Sequence, residues 1–146
     1  MQTFLPHPSF VESARILDWR RLGKQRLECK QIVNALEAKL AGEKRGWQNH
    51  PAVLMWEGHI PALCKYGFII CNEWQKRGYQ DTLMDYFLAQ SFEGPNPPWV
   101  GDERLHASHR ARLLQKDPVF YGKFGWTEQP CGPEGYWWPT KEMAKA

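Results

Sequence analysis

The chain has 146 residues, which is long enough for one domain with a substantial core. Its formal net charge is only +3, which excludes a histone-like polycation, so a basic surface can arise only from local clustering of Lys and Arg. No apolar run approaches the roughly 18 residues of a membrane span, and the first residues lack the pattern of a signal peptide. We therefore expect a cytoplasmic protein with no membrane partner.

Cysteine usage favours reduced thiols. Cys29, Cys64, Cys71 and Cys131 form no C-x-x-C pair, which argues against a zinc site. Cys29, Cys64 and Cys71 fall on apolar helical stripes and are best interpreted as core residues. We expect no metal site and no cofactor.

The chain begins with a proline-punctuated, extended lead-in over residues 1–10. Pro6 and Pro8 stiffen its backbone and could hold the terminus against the basic helix that follows. Ser9 or Ser13 is a suitable N-cap for a short helix that runs through Leu17.

Residues 16–40 predict one long amphipathic helix that ends near Gly42. The apolar stripe of this helix consists of Leu22, Cys29, Ile32, Val33, Leu36 and Leu40. The opposite side gathers Arg20, Arg21, Lys24, Glu28 and Gln31.

The rest of the chain is also predicted to be helical. Pro51 fits the first turn of a new helix, and Gly58 and Pro61 should divide the apolar pattern over residues 52–77 into a short and a longer helix. Asp81 should cap the next helix. Further helices are predicted over residues 82–90, 102–115 and 117–122. The aromatic, Gly/Pro-rich tail should be irregular but packed, so we predict a compact all-α fold with residues 1–146 as a single domain.

The long helix carries a cluster of cations around a single acid. Glu28 is the only acidic residue between Asp18 and Glu37. A carboxylate set among cations keeps its charge, sits well beside a phosphate-binding surface, and could act as an acid/base group. The alternative is a solvated helix face with one ion pair between Lys24 and Glu28.

Two further blocks of the sequence carry a resemblance: Gly58-His59 followed by IPALCKYGFIICNEWQKRGY, and the later segment HASHRARLLQKDPVFYGKFGW. The first resembles the central helix, and the second the C-terminal part, of the phage-type pyrimidine-dimer DNA glycosylase/AP lyases, an endonuclease V-like family. The helix over residues 16–36 lies where the family has a basic, Glu-containing helix. The chain resembles even more closely a set of bacterial cytoplasmic proteins that share RRLGKQR-x-E-x-x-Q-I, the NHP of 49–51 and the SHR…KDP of 108–118.

The resemblance implies an all-α DNA glycosylase that flips a damaged or modified base out of duplex DNA, acts as a monomer, and cleaves abasic sites through a Schiff base. In the family an N-terminal amine attacks the deoxyribose C1′. Glu28 matches the assisting glutamate, and alignments of this helix shifted by one or two residues remain open. The residues that would hold the phosphates are Arg20, Arg21, Lys24 and Arg26.

The nucleophile is where this chain departs from the family. The phage enzyme exposes its amine by losing the initiator methionine before a small residue, whereas Gln2 normally blocks that cleavage. The amine of Met1 is therefore the first candidate nucleophile, and Lys24 is the second.

Loop residues are candidates for contacts with bases. Trp47 precedes Asn49 and His50, and an aromatic ring beside polar groups suits stacking on a base. The alternative is that such a ring caps the core. His50 and His59 flank the start of the second helical block and could contact a phosphate or a base, or serve as capping or core residues.

The segment Ser108-His109-Arg110 is a candidate second phosphate contact, or else a polar helix face. His106 and His109 have a spacing that can bind a metal ion, but no third ligand is well placed in the sequence.

Two functions from different classes remain open at this point. The first is a DNA glycosylase, with AP-lyase activity, that acts on a damaged or modified base. The second is a non-catalytic protein of the same fold that binds nucleic acid or a nucleotide. Gln2 favours the binding protein, and the cations around Glu28 favour the enzyme.

Overall fold

The computed structural model describes residues 2–129 and 136–140. Within these ranges the chain forms seven α-helices and no β-strand, so the predicted all-α class is confirmed. The helices are α1 (Phe10–Ile16), α2 (Trp19–Leu40), α3 (Pro51–Leu54), α4 (Ile60–Lys76), α5 (Met84–Leu88), α6 (Glu103–Lys116) and α7 (Pro118–Gly122).

The boundary between α1 and α2 lies later than the sequence predicted. The Ser9 side chain caps α1 by accepting a hydrogen bond from the Glu12 backbone N–H, as expected. Leu17 and Asp18 are extended, so α2 begins at Trp19 rather than at residue 16. Leu17 is fully buried, and this short break turns the chain so that α1 and α2 bury different faces.

The later helices begin close to their predicted capping residues. His50 caps α3, which starts at Pro51. The predicted division into a short and a longer helix is confirmed, since α3 ends at Leu54 and α4 begins at Ile60. Pro61 occupies the first turn of α4, where its missing N–H costs nothing. The Asp81 carboxylate accepts hydrogen bonds from the backbone N–H groups of residues 83 and 84, so α5 begins at Met84 rather than at residue 82.

The core is centred on the packing of α2 against α4, with α1 and α5 also packed on α4. The predicted stripe of α2 is buried with one exception, since Leu40 is 81% exposed at the end of the helix. Cys29, Cys64 and Cys71 are buried free thiols, which confirms their interpretation as core residues. Cys131 lies outside the described residues.

Close approach between α2 and α4 depends on a glycine. A Cβ atom at Gly23 would lie 2.8 Å from the Trp74 ring, so only glycine lets this tryptophan lie against α2. The Arg26 guanidinium in turn lies over the Trp74 ring, 4.6 Å from its centroid. This packing directs Arg26 toward the α4 side of the helix.

The end of the described chain packs on the core without regular secondary structure. Tyr136, Trp137 and Trp138 are partly buried against core residues, which confirms a packed, irregular tail for residues 136–140. Among the described helices, none is long and apolar enough to cross a membrane.

Candidate functional site

The N-terminal segment is threaded into the interior of the molecule. Residues 2–5 have no regular secondary structure, and each is at most 7% exposed. Among the described residues no strand pairs with them, so their backbone groups need partners from side chains. Gln25 of α2 supplies two of these bonds: its Oε1 accepts from the Phe4 N–H at 2.6 Å, and its Nε2 donates to the Gln2 carbonyl at 2.7 Å.

Helices α4 and α6 hold the next residues of the segment. The Leu5 N–H donates to Nδ1 of His109 at 2.9 Å, and Nδ1 of His106 lies 2.7 Å from the Leu5 carbonyl oxygen. Because Nε2 of His106 accepts from the Gly101 N–H, its Nδ1 carries the proton. Tyr66 of α4 donates to the Phe4 carbonyl.

Glu28 binds the first described residue of the segment. Its Oε2 accepts a hydrogen bond from the Gln2 N–H at 2.8 Å, while Oε1 lies 3.7 Å from Nζ of Lys24. Glu28 is only 8% exposed, although it lies on the side of α2 opposite the apolar stripe. The start of the chain is thereby fixed to one buried carboxylate.

A pocket of about 310 Å³ opens beside this contact. It brings together four cationic side chains and one carboxylate, which makes it suited to an anion next to an acid/base group. The lining residues are Gln2, Phe4, Arg20, Arg21, Lys24, Gln25, Glu28, Lys116 and Tyr136.

Helices α6 and α7 position two of the cationic side chains of the pocket. Partial desolvation and the nearby charges of Arg112, Arg21 and Lys24 lower the pKa of Lys116, at the end of α6. Arg21 pairs with Asp18 at 3.2 Å, and Asp18 in turn accepts a hydrogen bond from the Tyr121 hydroxyl of α7. Burial, followed by this bond to Asp18, raises the pKa of Tyr121. The C-terminal helices therefore complete the pocket and orient one of its arginines.

Arg26 is not brought to this pocket. Its guanidinium pairs with the buried Asp81 carboxylate at 2.5 Å and stacks over Trp74. The four predicted phosphate-binding cations therefore divide: Arg20, Arg21 and Lys24 line the pocket, and Arg26 joins α2 to the start of α5.

An aromatic row leads from the pocket to the surface. We use this name for Tyr136, Trp138, His50 and Trp47, whose successive ring centroids lie 5.5, 6.2 and 5.7 Å apart. Trp47 is 63% exposed and has a φ of 74°, a left-handed backbone that is strained for a bulky residue. Asn49 is exposed in the same loop.

The remaining histidine and arginine candidates have other positions. His59 is half-buried at the start of α4 and does not line the pocket. His109 is fully buried, and Arg110 is bonded to Glu128, Glu103 and the Pro6 carbonyl. His109 and Arg110 thus secure the N-terminal segment rather than face the pocket.

The spacing of His106 and His109 raised the question of a metal site. Among the residues that the structure describes, no group of three or more His, Cys, Asp or Glu side chains is arranged to hold a metal ion.

Sequence reasoning missed Gln2 as a pocket residue, as well as Gln25, Lys116 and Tyr136. Gln25 carried a usable signal: it lies three residues after Leu22 and four before Cys29, so it is a polar residue on the apolar stripe of α2. Lys116 and Tyr136 had no comparable signal, because their approach to α2 is a long-range contact.

A family model described as pyrimidine dimer DNA glycosylase matches residues 1–87. The chain belongs to this family. Membership implies a function of the DNA glycosylase type, with DNA as the partner. Comparison with curated proteins and with solved structures finds no match. The matched range contains Glu28 and the pocket cations of α2, whereas Lys116 and Tyr136 lie beyond it.

The burial of His109 predicts a pH-dependent stability. Burial, with a smaller contribution from His106, lowers the pKa of His109 to about 3, against about 6.5 in an unfolded chain. Between these values the unfolded state binds more protons, so the free energy of unfolding falls as the pH falls, by up to about 1.4 kcal/mol per pH unit. Denaturant titrations at pH 6.5 and 4.5 should show this loss, roughly 2–3 kcal/mol from His109.

The variant His109→Asn keeps an acceptor for the Leu5 N–H but cannot titrate, so the same titrations should show a shallower pH dependence. The matched control is His7→Asn, because His7 is exposed. An unchanged slope in His109→Asn would show that His109 is not the group that takes up the proton.

Proposed function

We propose that this chain is a DNA glycosylase with AP-lyase activity that acts on a damaged or modified base in duplex DNA. One observation carries the proposal: the Gln2 N–H lies 2.8 Å from the buried Glu28 carboxylate, at the wall of a pocket lined by four cations. This arrangement sets the start of the chain beside an acid/base group and a surface suited to phosphates.

The proposed nucleophile is the α-amine of Met1, the residue that precedes Gln2. Met1 lies outside the described residues. The neutral amine attacks C1′, the glycosidic bond breaks, its electron pair leaves with the base, which takes up a proton, and the attacking nitrogen loses a proton. The nitrogen lone pair then expels O4′ from C1′, O4′ takes up a proton, and a protonated imine to C1′ remains. Loss of a proton from C2′ followed by β-elimination breaks the C3′–O bond and expels the 3′ phosphate.

Glu28 is the proposed acid/base residue of this sequence. Its buried carboxylate lies within hydrogen-bond distance of the Gln2 backbone and can accept the proton that leaves the attacking nitrogen or C2′. Gln25 supports this role, because it fixes the backbone of residues 2 and 4 beside Glu28.

Two lysines are the competing nucleophiles. Lys24 lines the pocket, but its side chain is 74% exposed and its ammonium group pairs with Glu28. Lys116 lines the same pocket and has a lowered pKa because of partial desolvation and neighbouring cations. Mapping of the covalent adduct by mass spectrometry separates Met1, Lys24 and Lys116.

The second candidate function is a non-catalytic DNA-binding protein of the same family. Gln2 favours it, because the residue that the family needs small at this position is large here. Borohydride trapping on abasic DNA distinguishes the two, since only the enzyme forms a reducible imine.

The first prediction concerns Glu28→Gln, which keeps the size of the side chain but cannot accept a proton. Trapping of abasic duplex DNA should slow by about 10²–10⁴-fold, the usual contribution of general acid–base catalysis. Binding of the same duplex in the absence of borohydride should change little.

The matched control is Glu37→Gln, an exposed carboxylate on the same helix, which should trap at the wild-type rate. A Glu28→Gln variant that traps abasic DNA at the normal rate but melts at a lower temperature would show that Glu28 stabilises the fold and takes no part in catalysis.

The second prediction concerns the salt dependence of DNA binding. Arg20 lines the pocket, so Arg20→Ala should reduce the slope of log Kd against log salt by about 0.9. Arg26→Ala should lower stability without changing the slope, because it leaves the buried Asp81 unpaired.

Lys76→Ala removes an exposed cation outside the pocket and controls for overall charge. Equal slope changes in all three variants would indicate general charge attraction instead of a defined phosphate site.

Trp47 is the proposed stacking residue. It is exposed, its backbone is strained, and the aromatic row connects it with the pocket. We propose that the Trp47 ring stacks on a base of the opened duplex while the attacked nucleotide occupies the pocket. Asn49 and His50 lie in the same loop and are proposed to contact the adjacent backbone.

The third prediction follows from this role. Trp47→Ala should weaken binding of abasic duplex DNA by about tenfold, because stacking contributes roughly 1–3 kcal/mol per base. Trapping on single-stranded abasic DNA, which needs no opening, should be unaffected.

Trp47→Phe should restore most of the duplex binding. Tyr79→Ala, which removes an exposed ring outside the aromatic row, should have no effect. Equal losses on single- and double-stranded DNA would contradict a role for Trp47 in opening the duplex.

A further inference from the structure

Gln2 has one polar group that is buried and unused. Its backbone N–H donates to Glu28, and its carbonyl accepts from Gln25. Its side-chain Oε1 accepts from the Thr3 N–H at 2.8 Å. The side-chain Nε2 has no hydrogen-bond partner among the described residues, although Gln2 is only 4% exposed.

The orientation of this amide is fixed by its neighbours. Exchanging the amide oxygen and nitrogen would turn an NH₂ group toward the Thr3 N–H, which needs an acceptor. Nε2 therefore faces away from Thr3. A buried donor without an acceptor is destabilising, so its retention here calls for an acceptor that the described residues do not supply.

The pocket that Gln2 lines is rich in donors. Arg20, Arg21, Lys24 and Lys116 can only donate, and the one carboxylate, Glu28, already accepts from the Gln2 backbone. A ligand that satisfies these groups has to be rich in acceptors and negatively charged.

We propose that Gln2 is a substrate-binding residue whose Nε2 donates a hydrogen bond to a phosphate oxygen beside the attacked nucleotide. The identity of this phosphate as part of DNA rests on the proposed function, whereas the anion site itself does not. A base carbonyl fits less well, because it brings no negative charge to four cations that have only two carboxylates among the described residues, Asp18 and Glu28, as ion-pair partners.

The pocket has the size and mobility that this role needs. Its volume of about 310 Å³ is at the lower end for small-molecule sites and suits one sugar-phosphate unit. Arg20, Lys24 and Lys116 are exposed, long side chains, so they can move onto a phosphate that enters the pocket beside Gln2.

The test replaces a single atom group. Gln2→Glu keeps Oε1 as the acceptor for Thr3 and exchanges the NH₂ group for a negatively charged oxygen. Affinities for inorganic phosphate and for duplex DNA with one abasic site should both fall by about tenfold or more, from loss of a hydrogen bond to a charged group and added repulsion.

Stability separates binding from a structural role. In the absence of phosphate, the new carboxylate lies among four cations, so the melting temperature of Gln2→Glu should equal or exceed that of the wild type. Gln31→Glu, an exposed change of the same charge on α2, should alter neither affinity.

Unchanged affinities for phosphate and DNA in Gln2→Glu, or a lower melting temperature with unchanged affinities, would overturn the proposal. If Gln2→Glu does not fold, Gln2→Met removes the donor without adding charge. A lower phosphate affinity in Gln2→Met would then support the proposal, and an affinity equal to that of the wild type would overturn it. A wild-type protein that binds phosphate through Gln2 but never traps abasic DNA would refute the proposed function and leave this inference standing. Normal trapping of abasic DNA, together with phosphate and DNA affinities that do not depend on Gln2, would refute this inference and leave the proposed function standing.

Discussion

The buried N-terminal segment is the constraint on which the rest of this structure depends. Residues 2–5 lie in the interior, and none of the described residues forms a strand beside them, so their backbone groups bond to side chains. The Gln2 side chain bonds to the Thr3 N–H, and the other bonds come from three helices, through Gln25, Glu28, Tyr66, His106 and His109. A large part of the polar content of the core thus serves to hold one short stretch of chain against Glu28.

This arrangement explains why the C-terminal helices belong to the site although the family match ends at residue 87. Helix α6 binds the lead-in through His106 and His109, and its last residue, Lys116, reaches the pocket. Helix α7 holds Asp18, and through it Arg21, by the Tyr121 hydroxyl. The pocket is therefore a product of the whole described fold.

The cations of α2 have two separate tasks. Those that point toward the lead-in gather around Glu28 without acidic partners of equal number, which leaves positive charge available for an anion. Arg26, on the α4 side, pairs with Asp81 and stacks over the Trp74 ring. A cluster that looks uniform in sequence is divided by the helix geometry into a binding group and a structural group.

Much of the fold followed from local rules, since helix periods, Ser9 at a cap and Pro51 at a first turn all depend on residues a few positions apart. The errors also have local causes. Leu40 matches the stripe but lies at the last turn of α2, where no neighbour covers it. Periodicity also does not reveal that Glu28, opposite the apolar stripe, is buried against the Gln2 backbone.

By itself the sequence determined the all-α class, the basic helix with its single central acid, and the resemblance to pyrimidine-dimer glycosylases. Only the tertiary structure decided that Glu28 meets the Gln2 backbone, that Lys116 shares its pocket and that His109 is a core residue. The physical reason is that these are single contacts between residues 26 to 104 positions apart or between separate helices. Such contacts leave no periodic pattern, because they depend on how the helices pack around the lead-in.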